Sequence, residues 1–248
     1  MARRRGRNRT AWTLLAVLLA AAVAPAAAQQ AAVPPRAPVL LFISGTSAAD
    51  LPVPVAEVRA AATAALERSL DRAGFSVVPA DSLLPYLMAG RVRSALGTSP
   101  AFLHDLAAGT GATHLLVAVL LVEQGHLQLL ARLAEPQSGC VVWASVAEQA
   151  VPRARRQPDP ADAAAWLAGL DLLCQAARPI AGPTAGAQAR LVVLLPARAV
   201  ACAQEVALAA THCLLAAATG DPRWRVVDPG VAAVLLREEG VSPDRLDA

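Results

Sequence analysis

Apolar and polar positions along this chain follow two periods, and the switches between them mark out its elements. Val39 to Ser44 (VLLFIS) is a short continuous apolar run, the pattern of a strand buried on both faces. Pro54 then opens a helical stretch. Val55, Val58, Ala62, Ala65, Leu66, Leu70 and Ala73 share one face at helical spacing, while Glu57, Arg59, Glu67, Arg68 and Asp71 lie away from it. Gly74 is a helix terminator, and Phe75 to Val78 reads as a second short strand. Strand, helix, strand in this order implies a right-handed crossover and parallel pairing of the segments around Leu41 and Val77. A second helical region, about 82–92, is weakened by Pro85. Ser99-Pro100 is an N-cap followed by a first-turn proline, opening a helix with Phe102, Leu103 and Leu106 that ends near Gly109.

Three strand signals follow closely. Thr113 to Val122 is nearly all apolar, and Gln124-Gly125 supplies a tight turn. Leu127, Leu129, Ala131 and Leu133 alternate with Gln128, Leu130 and Arg132. A turn at Pro136 to Gly139 leads into the strand Cys140 to Val146. Short connections make these three strands antiparallel neighbours. Asp159-Pro160 caps a helix carrying Trp166, Leu167, Leu170, Leu173 and Cys174, stopped by Pro179.

The order then begins again after Pro179 to Gln188, a linker. Leu191 to Leu195 is a buried strand, Ala201 to Ala218 a helix, Trp224 to Asp228 a strand and Val231 to Glu239 a helix. Val226-Val227 echoes Val77-Val78, and Ser242-Pro243 echoes Ser99-Pro100, as in a diverged second copy of one unit. The expected fold is α/β: a mixed sheet of order βαβαβββα, then a partial second copy, βαβα. The corresponding domains are 39–180 and 190–248, with linkers at 29–38 and 181–189. Two parallel strands with helices bury little surface and leave open edges. The second unit therefore either docks on the first sheet or is truncated, and truncation is the favoured expectation.

The first 28 residues change the charge picture. Arg3, Arg4, Arg5, Arg7 and Arg9 precede a short apolar run, Ala11 to Val23, and Ala26-Ala27-Ala28 offers a cleavage site. These are the parts of a secretory signal peptide. The run is shorter than the ~20 residues of a membrane span, so an uncleaved anchor is the lesser alternative. Five of the 22 basic residues and none of the 19 acidic ones lie in this segment. The remainder carries 17 basic against 19 acidic residues, a formal charge of −2 in place of +3. That removes the basic footprint a nucleic-acid-binding protein needs. Hydrophobic residues make up 56% of the chain, which excludes a disordered one. Aromatics are only 3%, so the core must be built from Ala, Val and Leu.

The meander carries a resemblance. Gly111-Ala112-Thr113-His114-Leu115-Leu116-Val117, then Leu127 to Leu133, then Ser138-Gly139-Cys140-Val141-Val142-Trp143 resemble the α/β domain of bacterial envelope proteins such as the TolB N-terminal domain, LpoB and CsgG, and Ala73 to Val78 also fits. The resemblance covers about 39–178 with a partial echo over 190–248. It implies a non-enzymatic part of an envelope assembly. LpoB and CsgG are lipoproteins, and this sequence has no lipid-attachment Cys. No binding residue is carried over position by position.

Candidate chemistry is sparse. Cys140, Cys174, Cys202 and Cys213 in an exported chain raise the question of disulfides. Cys202 and Cys213 share a helix about three turns apart, too far to bond each other. Cys174 could pair with either if the second unit packs back, but small buried hydrophobes are the simpler reading for all four. His104, His114, His126 and His212 show no metal-ligand spacing, and His212-Cys213 neighbours point about 100° apart on a helix, too divergent for a catalytic dyad. Gly109-Thr110-Gly111 precedes a strand, so it is no dinucleotide loop. Ser44, Gly45, Thr46 and Ser47 follow the first strand, where open α/β sheets bind ligands, and form the candidate ligand loop. Trp143 and Trp224 are packing residues unless exposed. No catalytic residue, cofactor or metal site is expected. The sequence thus points to an exported, periplasmic or secreted, non-enzymatic protein acting through protein contacts. A periplasmic small-molecule-binding protein is the alternative, and an exported hydrolase is the weakest reading.

Overall fold

The structure is a computed structural model and describes residues 34–45, 51–90, 92, 98–123, 126–150, 159–177, 189–194 and 204–240. The signal-peptide segment, the Gln124-Gly125 turn, Cys202 and the Ser242-Pro243 echo lie outside those residues.

The apolar run at the start of the description becomes β1 (Arg36–Gly45), longer than the pattern alone marks. Its alternate residues go to opposite faces. Val39 and Leu41 enter one core and Leu40 the other, as a strand covered on both sides requires. β1 starts within the segment read as a linker, and Ser44 and Gly45 are strand residues. α1 (Val55–Arg72) buries the stripe Val58, Ala62, Ala65, Leu66 and Leu70. It ends where Gly74 takes φ +87°, a conformation that only glycine adopts without strain. β2 (Ser76–Val78) then pairs parallel with β1 through Arg36↔Ser76, Ala37↔Val77 and Pro38↔Val78. From Val39 onward β1 instead pairs with β3 (Leu115–Glu123), also in parallel, so Leu41 lies opposite Ala118 and Val77 lies opposite Ala37.

Pro85 splits the second helical region into a 3-10 turn (Ala80–Leu83) and a short helix, α2 (Leu84–Ala89). α3 (Pro100–Thr110) has the cap its sequence announces. The Ser99 hydroxyl accepts the Phe102 N–H at 3.1 Å, and Gly111 at φ +66° closes the other end. The Tyr86 ring lies against Gly109, where any Cβ would overlap it, so this glycine serves the packing of α2 on α3.

β3, β4 (His126–Glu135) and β5 (Cys140–Ala150) form the antiparallel meander, with a bulge at Leu133/Ala134. α4 (Pro160–Ala176) is capped by Asp159, whose carboxylate accepts the Ala161 N–H. It packs with α1 over one face of the sheet, on Leu116, Ala118, Leu120, Leu129, Ala131 and Leu133. This first core draws only on residues from Ala37 to Ala177. Each fully buried leucine in it contributes roughly 1.5–3 kcal/mol.

The opposite face is covered by α3 together with a later segment. β6 (Arg190–Val193), α5 (Gln204–Thr219), β7 (Trp224–Val227) and α6 (Pro229–Glu238) follow in the predicted order. β7 pairs antiparallel with β5 at Cys140↔Val227 and Val141↔Val226, and β6 pairs parallel with β7. Val227, Val231 and Ala232 join Phe102, Leu103, Leu106, Val117, Val119 and Leu130 in the second core. The seven strands run β2-β1-β3-β4-β5-β7-β6. The second unit docks on the first sheet through β7. Its tertiary placement is not that of the first: β1 precedes its parallel partner in sequence and lies inside the sheet, whereas β6 precedes its partner and lies at the edge.

Candidate functional site

The strongest concentration of polar chemistry lies where the second unit meets the sheet. Alternation puts Leu130 and Arg132 on the face of β4 opposite Leu129 and Ala131, and that face is covered too. Arg132 is therefore 0% exposed. Its Nε donates to Asp228 Oδ2 at 2.6 Å, and Nη2 reaches Thr98 Oγ1 at 3.4 Å. The Thr98 hydroxyl donates to Asp228 Oδ1 at 2.8 Å, and so does the Gly230 backbone N–H. Asp228 is thus the N-cap of α6 and the counter-ion of Arg132 at once. Its own N–H donates to the Gly139 carbonyl at 2.8 Å, which ties the β4–β5 turn to the end of β7.

His212 closes the cluster from α5 and is itself 0% exposed. Its Nδ1 lies 3.0 Å from the Leu208 carbonyl. A carbonyl only accepts, so Nδ1 carries the hydrogen and Nε2 presents a lone pair. Burial first, and the Arg132 charge second, push the imidazole pKa down to about 4; the Leu208 carbonyl and Asp228 oppose this. The histidine is neutral at physiological pH. The cluster joins the start of α3, β4, the β4–β5 turn, α5 and the β7–α6 junction. It has no exposed nucleophile or base, and what it can do chemically is hold charges in place.

Asp228 and Thr98 were not singled out by sequence reasoning. A signal existed: Asp228-Pro229 is the same cap signature as Asp159-Pro160. Nothing in the sequence reveals that Arg132 faces it, 96 positions earlier.

The residues singled out from sequence are scattered. Ser44 is half-buried in β1 opposite Leu121, and Gly45 lies opposite Val122. Both are ladder residues rather than loop, because the β1–β3 pairing continues through them. Thr46 and Ser47 lie outside the described residues. His114 stacks edge-on against Phe75 with ring centroids 5.3 Å apart, and burial lowers its pKa while Glu135 opposes the shift. His126 lies 3.2 Å from Glu148 across the β4–β5 ladder, and His104 is exposed on α3. Among the described residues no three His, Cys, Asp or Glu side chains converge as metal ligands.

Cys140 and Cys174 are buried free thiols, and the low-polarity surroundings of Cys174 push its pKa up to about 12. Cys213 departs from the buried-hydrophobe reading. It is exposed, because its helix turns His212 inward and its neighbour outward. No bond joins Cys174 and Cys213. Trp143 packs on the first core and Trp224 on a third cluster with Val141, Val226 and Leu215; both are half-buried.

No family profile matches the sequence, and no curated protein matches it. Solved structures do. The LpoB C-terminal domain from Salmonella enterica is 17% identical, with a TM-score of 0.35, over 47% of this chain and 83% of that one. Lipoprotein GNA1162 from Neisseria meningitidis is 15% identical, with a TM-score of 0.38, over 55% and 94%. TolB from Acinetobacter baumannii is 10% identical, with a TM-score of 0.27, over 56% and 28%. These likenesses extend over about half of this chain.

Proposed function

We propose that this chain is an exported, non-enzymatic envelope protein that works through contacts with another protein. The observation that carries the reading is the β6 end of the sheet. Among the described residues β6 is a terminal strand with no strand on its outer edge, and it holds Leu191 at 65% and Val193 at 49% exposure. An apolar edge strand of this kind is a ready template for a partner segment, and natural proteins shield such edges unless they use them. The other terminal strand, β2, is only three residues long and offers less. The basic, apolar and small-residue blocks of residues 1–28 support export to the periplasm or beyond. No helix among the described residues is long and apolar enough to cross a membrane.

The test compares the wild-type chain with Leu191→Lys/Val193→Lys as bait in envelope extract. A stoichiometric protein partner that the wild type retains and the charged variant loses supports the reading. A partner retained equally by both removes β6 as the contact. The small-molecule alternative keeps one structural support: β1 and β3 are parallel and end side by side at Gly45 and Val122, the end of a sheet where ligands bind. Thermal-shift screening with sugars, nucleotides and amino acids tests it, and a clear stabilisation without any protein partner reverses the ranking.

A further inference from the structure

The second unit is attached to the sheet by few strand pairs, by the apolar contacts of the second and third clusters, and by one sealed polar cluster. β5 has 11 residues, yet β7 pairs with only two of them, Cys140 and Val141. The first core contains no residue of β6, α5, β7 or α6. The first core, within residues 37–177, therefore forms without the second unit, whereas the second core and the Arg132–Asp228 pair are complete only when that unit is docked.

His212 lies within that joint. With Nδ1 donating to Leu208, an added proton can only go to Nε2. Nε2 is buried and has no hydrogen-bond partner. A proton there creates a buried, unsatisfied N–H and a second cation beside Arg132. Among the described residues the carboxylate acting on the ring is Asp228, already engaged by the guanidinium, Thr98 and Gly230. Arg132 from β4 and Asp228 from the β7–α6 junction are the charged groups that act on the ring. In the undocked state the imidazole meets water and protonates freely.

We infer that His212, sealed over the Arg132–Asp228 pair, makes the docking of residues 204–238 acid-sensitive, so that acid releases α5, β7 and α6 from the sheet while the first core stays folded. The sign follows from linkage. The docked imidazole titrates near 4 and the released one near 6.5, so docking is at full strength above about pH 6.5 and weakens as pH falls toward 4. At about pH 5 the opening equilibrium rises roughly ten- to thirtyfold over its neutral value. The inference does not depend on the proposed function.

Amide hydrogen exchange of the signal-free chain, corrected for intrinsic rates, reads this directly. Peptides from 204–219 and 224–238 are expected to lose protection between about pH 6.5 and about pH 4 while those from 55–72 and 115–135 keep theirs. The His212→Gln variant has no titrating ring and is expected to show no such loss. Equal loss in both proteins, or uniform loss over both regions, overturns the inference. If the variant does not fold at neutral pH, NMR titration of the wild-type imidazole decides: a midpoint well below the ordinary value that coincides with the change in 204–238 supports it, and an ordinary midpoint overturns it.

Discussion

Truncating Asp228 to alanine tests the central joint of this fold most severely. The carboxylate does two jobs, and both can be sized. It is the counter-ion of Arg132, with both side chains at 0% exposure and 2.6 Å between Nε and Oδ2. Removing one partner of a buried pair leaves the other charge uncompensated and costs about 3–5 kcal/mol. It also caps α6 through the Gly230 N–H, worth about 1 kcal/mol. The sum, about 4–6 kcal/mol, is comparable to the whole stability of a modest domain, about 5–15 kcal/mol. Urea unfolding followed by tryptophan fluorescence measures it, because Trp224 reports on the second unit and Trp143 and Trp166 on the first core. The expected result is an early loss of the Trp224 signal, with the first core unfolding later. Asp228→Asn combined with Arg132→Met supplies the control. Asparagine still caps, no charge remains in the core, and the double variant is expected to recover most of the loss, since apolar replacement of a buried pair is often near neutral. A cost below about 1 kcal/mol for Asp228→Ala, or a double variant worse than the single, would refute the assignment of the joint to this ion pair.

Other expectations are simpler. Gly139→Ala forces a side chain into φ +64° and places its Cβ 3.2 Å from Val231 Cγ1, so chemical denaturation should show a loss of about 1–3 kcal/mol. Ser99→Ala removes the cap acceptor of the Phe102 N–H and should cost about 1 kcal/mol by the same measurement. Leu116→Ala opens the first core at a fully buried site and should cost about 2–5 kcal/mol, with no selective release of the second unit in exchange experiments. Brief alkylation of the native chain with peptide mapping should label Cys213 and spare Cys140 and Cys174, since the latter pair are buried and the Cys174 thiolate is disfavoured to about pH 12. Rapid native labelling of Cys174 would contradict its place in the core.

The legibility of this chain follows the range of the forces involved. The stripe of α1, the Ser99 and Asp159 caps, the Gly74 stop and the three-strand meander were readable because each is settled by residues a few positions apart, while the helix expected to end near Gly109 runs on to Thr110 and stops at Gly111. The extension of β1 through Ser44 and Gly45 was not, since its strand state comes from pairing with β3, about 77 residues later. The exposure of Cys213 and the burial of its neighbour His212 depended on which side of α5 faces the sheet, and a helix rich in small residues on every side does not announce that.

Local patterning alone determined the element order, the parallel pairing of β1 with β2 and the aliphatic character of the core. Tertiary structure decided where β7 and β6 attach. It also decided that Arg132, which reads as a polar position on an alternating strand, is sealed against a cap carboxylate 96 residues away. Hydrophobic periodicity says that a face is covered, but not by what. A buried charge has to find its counter-ion, and only the folded chain brings Asp228 to Arg132.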